Sequence, residues 1–210
     1  MLELVSKSLI AYLLGTVLGS LLLGRLRGVD IRTMGSGNAG ATNALRTQGK
    51  AFGLAVLLLD IGKGMVAVLW IPHLDLPGVA SDPGVLRQWM PLACGLAVVL
   101  GHVYPVWFGF RGGKGVATVA GVIGALEPRL LVPLSLCWIG VLLLTGYVGL
   151  ASMLAGVALV IAAYWLEPAN GPLMQFCLLV TALVIYTHRG NIARMAAGTE
   201  HRARVWLFRS

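Results

Sequence analysis

The feature that most constrains this chain is its series of long apolar runs, at 8–24, 51–71, 91–108, 130–146, 147–166 and 171–187, with a shorter one at 115–126. A hydrocarbon core about 30 Å thick takes about 20 consecutive apolar residues per helix. Inside it every backbone N–H and C=O must find a partner within the segment, and single runs of this length do that only as helices. Composition excludes a water-soluble alternative. Charged residues make up 11% of the chain and hydrophobic ones 58%, whereas a soluble domain is about 25% charged because its surface faces water. The expected fold is an all-α integral membrane protein, one domain over 1–210, built as a bundle of seven transmembrane helices.

The count of seven follows from where the charge lies. The net charge is +8. Its basic residues cluster at Arg25, Arg27, Arg32, Arg46 and Lys50, at Arg111 and Lys114, and at Arg189, Arg194, Arg202, Arg204 and Arg209. The other connections are close to neutral: Asp75 and Asp82 against Arg87, Glu127 against Arg129, and Glu167 alone. Cytoplasmic connections carry the Lys/Arg excess. Seven helices with the N-terminus outside and the C-terminus cytoplasmic put every basic cluster on the inner side, so the short run at 115–126 counts as a span. The first run is flanked by Glu3 and Lys7 and ends in Gly24-Arg25-Leu26-Arg27-Gly28 without a small-residue cleavage pattern, so it reads as a retained helix and not a secretory signal. Cys94, Cys137 and Cys177 stand singly inside apolar runs. They lack metal-ligand spacing and read as packing residues.

Three polar segments stand out because nothing about bulk water demands them. In Gly35-Ser-Gly-Asn-Ala-Gly-Ala-Thr-Asn43, the glycines at 35, 37 and 40 formally spell a dinucleotide fingerprint. That motif needs a preceding strand in a βαβ unit, and here the flanks are a membrane helix and a basic loop. The physics beneath it still applies: glycines let backbone N–H groups converge on an anion, and a helix start adds its dipole. Ser36, Asn38, Thr42 and Asn43 add donors, and Arg46 adds a charge. The second segment, 101–118, holds His102 and the turn Arg111-Gly-Gly-Lys-Gly115. It is not a nucleotide-triphosphate loop, because Lys114 precedes a glycine and the required upstream glycine is Phe108. Lys114 is a point charge suited to phosphate. In the third, His188–Glu200, a helix would put His188, Asn191 and Arg194 on one face. Apart from these, Asp60 and Lys63 lie three residues apart within a span, where an ionisable residue marks a polar interior; the pair is either functional or a structural ion pair.

Together, the segments Gly35–Asn43, Gly101–Thr118 and His188–Glu200 resemble the three signature segments of the acyl-phosphate:glycerol-3-phosphate acyltransferases of bacterial inner membranes. The likeness runs over essentially the whole chain. In the turn Thr145–Ser152, Gly146 and Gly149 stand where relatives often carry a basic and a hydroxyl residue. The resemblance implies a seven-helix bundle in the bacterial cell inner membrane, with the active site facing the cytoplasm. It implies acyl transfer from acyl phosphate to the 1-hydroxyl of glycerol 3-phosphate, with no cofactor, no metal and no coenzyme A. The partners are then acyl phosphate, glycerol 3-phosphate and membrane lipid. No nucleic acid and no obligatory protein partner are expected.

On that basis Ser36, His102 and Lys114 are the catalytic candidates. Gly37, Asn38, Thr42, Asn43, Arg46, Lys63, Gly112, Gly113, Ser152, His188, Asn191, Arg194 and Glu200 are candidates for substrate and phosphate binding. Phosphate is a good leaving group, so direct attack by the glycerol hydroxyl needs no acyl-enzyme, and Ser36 reads better as a donor than as a nucleophile. The proton goes either to the substrate phosphate or to His102. Two other classes compete. An organic-phosphate transporter would place its polar groups at the bilayer midplane, with access from both sides. A non-catalytic lipid-binding subunit has no need of three donor-rich segments.

Overall fold

The computed structural model describes residues 1–203, so the basic residues Arg204 and Arg209 lie outside the described residues. The chain divides into two compact units, Met1–Leu126 and Glu127–Ser210.

In the first unit, α1 (Leu2–Gly15) and α2 (Gly19–Leu26) come from one apolar run that bends by 44° at a short break. A short α3 (Ala41–Gln48) leads into the long α4 (Lys50–Leu69). After a connection containing the one-turn α5 (Gly84–Arg87) come α6 (Met90–Val103) and the short apolar α7 (Val116–Leu126). Two glycine contacts set the packing. A Cβ on Gly101 of α6 would stand 2.1 Å from the Tyr12 carbonyl oxygen of α1, and one on Gly121 of α7 would stand 2.0 Å from that of Ile61 in α4. Only hydrogen fits between those backbones, which is the use small residues have in membrane bundles. Gly15 and Gly19 fall on opposite sides of the α1/α2 break. Gly15 packs on Val98 and Gly101 of α6, and Gly19 on Val56 and Leu59 of α4.

The connection at 72–82 is anchored more firmly than its Pro/Gly content suggests. Lys7 of α1 donates to Glu3 at 2.6 Å and to the Pro72 carbonyl at 2.8 Å, and Glu3 accepts from the Asp82 N–H at 2.7 Å. Glu3, Lys7 and Asp82 are all buried. Each charge has a partner, as burial requires.

The second unit consists of α8 (Leu131–Thr145), α9 (Val148–Leu166), α10 (Gly171–Thr187) and α11 (Arg189–Ala196), with the last two bent by 49° at His188. Helix α8 ends at Gly146, whose φ of +77° is a left-handed cap that a side chain would strain. Asn170 caps α10 by accepting from the Leu173 N–H at 3.1 Å. Arg129 bridges Glu127 at 2.7 Å and Glu167 at 2.6 Å, which ties the start of α8 to the end of α9.

All the expected apolar runs are built of helix, with breaks at 16–18 in the first and at 104–105 in the third. Four helices are long and apolar enough to cross a membrane, and up to six if each bent pair is one span. Many large apolar side chains remain exposed, among them Leu54, Leu58, Leu136, Ile139, Leu143, Ile161 and Trp165. That is the surface of a protein whose solvent is lipid.

Candidate active site

The polar groups of the first unit are positioned by two turns and one buried cluster. The first turn begins at Asp30, which accepts from the Arg32 N–H at 2.9 Å and pairs with its guanidinium at 2.7 Å. That guanidinium holds the Asp30 carboxyl below its usual range and is itself stabilised as a cation. Asn43 then shapes the glycine segment. Its Oδ1 accepts from the Ser36 N–H at 3.0 Å, and its Nδ2 donates to the carbonyls of Ile31 at 3.1 Å and Met34 at 2.9 Å. Gly35 adopts a φ of +56° and lies so close to Asn43 that a Cβ would meet Oδ1 at 2.4 Å. The buried Ser20 hydroxyl donates to the Ala39 carbonyl at 2.8 Å, holding the far end of the segment to α2. Ser36, Gly37 and Asn38 thus stand just before the first turn of α3, whose leading N–H groups have no intrahelical acceptors. Ser36 and Gly37 are exposed, while Asn38, Thr42 and Arg46 are half-buried.

The second turn follows α6. The N–H groups of Gly112 and Gly113 donate to the carbonyls of Val103 and His102, both at 3.0 Å, folding 109–115 back on the helix end. A Cβ at 112 would stand 2.0 Å from the His102 carbonyl oxygen, so the turn exists only with glycine there. Lys114 is half-buried two residues before α7. The Arg32 guanidinium lies 5.2 Å over the Phe108 ring, which brings the two turns side by side.

Beneath them is a buried ionic cluster. Lys63 Nζ lies 3.0 Å from Asp60 Oδ1 and 2.8 Å from His102 Nδ1. It also donates to the carbonyls of Gly15 at 3.0 Å and Val17 at 2.9 Å, the acceptors exposed by the α1/α2 break. The Gly19 N–H, on the other side of that break, approaches Asp60 Oδ1 at 3.4 Å.

In the second unit, Glu200 is the hub. It accepts from Asn191 Nδ2 at 2.7 Å and from Arg194 Nε at 2.6 Å. Asn191 packs on Gly149, where a Cβ would come within 2.9 Å of its side chain. His188 is buried and its Nδ1 lies 2.7 Å from the Val184 carbonyl. A carbonyl only accepts, so the Nδ1 carries a proton. Ser152 donates to the Val148 carbonyl at 2.9 Å and accepts from Trp138 Nε1 at 3.2 Å.

A loop braced by Asn43, a second turn carrying Lys114 and lipid-facing helices occur in one chain, and comparison with known proteins gives them a family. The glycerol-3-phosphate acyltransferase family model matches residues 5–198. The chain belongs to that family. It is 42% identical over 196 residues to the glycerol-3-phosphate acyltransferase of Aquifex aeolicus (strain VF5), covering 91% of this chain and 95% of that one. Its fold matches a crystal structure of PlsY (YgiH), an integral membrane glycerol 3-phosphate acyltransferase in its glycerol 3-phosphate form. That match has a TM-score of 0.84 and 38% identity, and covers 98% of this chain and 99% of the other. The lysophosphatidic acid form of PlsY matches with a TM-score of 0.81, the same 38% identity, and the same 98% and 99% coverage.

Within this acyltransferase the candidate residues have different positions. Ser36, Gly37, Asn38, Gly112, Gly113 and Lys114 belong to the two adjoining turns, and Thr42 and Arg46 lie on α3, which follows the first of them. Asn43 is 1% exposed and its amide is taken up in bracing the first turn. Lys63 is 7% exposed and its N–H directions point at protein acceptors. His102 is 3% exposed, beneath the second turn. His188, Asn191, Arg194 and Glu200 form one cluster in the second unit, and Ser152 bonds within α8 and α9. Two participants were not among the candidates. Asp60 was visible as Lys63's partner, but its approach to His102 across 42 positions is a tertiary fact. Ser20 gave no signal, being one hydroxyl in an apolar run.

Proposed function

We propose that this membrane acyltransferase moves a fatty acyl group from acyl phosphate to the 1-hydroxyl of sn-glycerol 3-phosphate, releasing phosphate and 1-acylglycerol 3-phosphate, the first acylation of phospholipid synthesis. The observation that carries the reading is the adjoining pair of turns, with Arg46 beside one and Lys114 in the other. They form a donor-rich, cationic surface suited to phosphate, on helices that face lipid. The acceptor is supported by the family's name and by the PlsY glycerol 3-phosphate form, and the product by the PlsY lysophosphatidic acid form.

In the proposed reaction the glycerol hydroxyl oxygen attacks the acyl carbon. The C–O bond to phosphate breaks, and the hydroxyl proton leaves with the departing phosphate. Ser36, Gly37, Asn38 and Thr42 offer donors to the phosphate or the developing oxyanion, and Arg46 and Lys114 neutralise charge. Positioning does most of the work, because the mixed anhydride is already activated. His188, Asn191, Arg194 and Glu200 are proposed as a second group of substrate-binding residues.

The chain acts as one acyltransferase domain, a reading supported by a family model that runs through both units. Seven spans, with Val116–Leu126 as the short one, put the N-terminus outside and the basic turns at the cytoplasmic face of the bacterial inner membrane. The test uses purified protein and labelled glycerol 3-phosphate, with palmitoyl phosphate and palmitoyl-coenzyme A as parallel donors. Lysophosphatidate formed from the acyl phosphate alone supports the proposal. Product from the coenzyme A ester alone, or from neither donor in folded protein, overturns it.

A further inference from the structure

We infer that Asp60, Lys63 and His102 form one positioning network, in which Lys63 fixes His102 with its proton on Nε2 and couples the α1/α2 break to the turn carrying Lys114. Deepening the proposed acyl transfer, it rests on that reading only where activity is the readout. A Lys ammonium has three N–H groups and no acceptor. Carbonyls of Gly15 and Val17 take two of them, at 3.0 and 2.9 Å. The third is aimed at His102 Nδ1 at 2.8 Å and Asp60 Oδ1 at 3.0 Å. Contact at 2.8 Å with an ammonium requires a lone pair on Nδ1, so the imidazole proton sits on Nε2. The 3.5 Å separation of His102 Nδ1 from Asp60 Oδ1 agrees, being long for a hydrogen bond and suited to two acceptors sharing one cation.

The same geometry transmits position. Lys63 takes the carbonyls left open at the end of α1, and Asp60 faces the Gly19 N–H at the start of α2, so the ion pair holds both edges of a break that neither helix satisfies alone. On its other side, the His102 ring presses on the second turn. A Cβ at Gly113 would stand 2.1 Å from Nε2, and the Gly113 N–H donates to the His102 carbonyl at 3.0 Å. Movement of the ring therefore moves the turn in which Lys114 is the next residue. All three side chains are at most 7% exposed, so their contacts are with protein and their influence on substrate passes through that turn.

The decisive measurement is ¹⁵N NMR of the purified protein labelled at histidine, with the His102 signals assigned by their loss in His102→Gln. The inference predicts a neutral ring protonated on Nε2 in the wild type, and a proton moved to Nδ1, facing Asp60, in Lys63→Met. Because Lys63→Met leaves a buried carboxylate and can fail to fold, the wild-type spectrum is a test by itself, and Asp60→Asn/Lys63→Met removes both charges together. Kinetics supply the second arm. Lys63→Met, His102→Gln and Gly113→Ala are each expected to lower turnover by about 10- to 100-fold, and the Lys63→Met/His102→Gln pair to fall no more than about twofold below the worse single variant, because they act as a unit. A wild-type His102 protonated on Nδ1, or losses that multiply in the double variant, overturns the inference. An inactive wild type with the expected spectrum counts against the acyl-transfer reading and leaves the network standing.

Discussion

Replacing Asn43 by alanine distinguishes a residue that shapes the Gly35–Asn43 loop from one that binds substrate. The substitution deletes three hydrogen bonds, to the Ser36 N–H at 3.0 Å and to the carbonyls of Ile31 at 3.1 Å and Met34 at 2.9 Å, at a position 1% exposed. A typical intramolecular hydrogen bond contributes about 1 kcal/mol net, which gives about 3 kcal/mol for the set. For a chain of this size that corresponds to a fall in Tm of about 6–12 °C. Asn43→Asp is expected to fare no better. It keeps the acceptor for Ser36 but turns an oxygen toward two carbonyl oxygens. The assay is thermal unfolding of purified protein in detergent, followed by kinetics below the lowered Tm. Turnover should fall as well, since the Ser36–Asn38 loop loses its brace. An unchanged Tm with a raised KM for glycerol 3-phosphate would refute the reasoning and make Asn43 a ligand-binding residue.

Three further outcomes follow from the same contacts. Gly121→Ala puts a Cβ 2.0 Å from the Ile61 carbonyl oxygen, so α4 and α7 must separate, and overpacking of this kind costs about 1–3 kcal/mol, read as a lowered Tm. Lys114→Ala should abolish turnover in a protein that still elutes as a folded species, whereas Arg209→Ala in the basic tail should leave the rate unchanged; a normal rate for Lys114→Ala removes the phosphate-clamp account. The Asp30 carboxyl, hydrogen-bonded to Arg32, is held below its usual range. Its contribution to the loop is therefore complete above the unfolded value of about 3.9 and disappears as pH falls through the lowered folded one, so the acid limb of Tm against pH should flatten in Asp30→Asn.

The helices were legible because membrane spans are written in one dimension. The apolar runs became helices, the first of them as two. Nothing in the run 8–24 announced a break between α1 and α2. That break contains no proline, and it is held by Lys63 and Asp60, more than 40 positions away. The donor-rich segments were equally plain as composition, since glycines, amides and cations have no other reason to gather in an apolar chain. Composition did not separate donors that face outward from donors used up inside. Ser36 and Asn43 are both polar residues of one motif, yet one is exposed and the other is buried with its amide spent on the loop itself. Lys63 reads in sequence as a cation available to phosphate, and only the fold places Gly15, Val17 and His102 around it.

In the proposed reaction the acyl group passes from phosphate to glycerol without residing on the protein. The most direct test is a single-turnover experiment with palmitoyl phosphate in the absence of glycerol 3-phosphate, read by intact-protein mass spectrometry and by release of inorganic phosphate. The account predicts unmodified protein and no stoichiometric phosphate burst, followed by prompt lysophosphatidate formation once glycerol 3-phosphate is added. A burst accompanied by one palmitoyl group esterified to Ser36 would contradict it and make that serine the nucleophile.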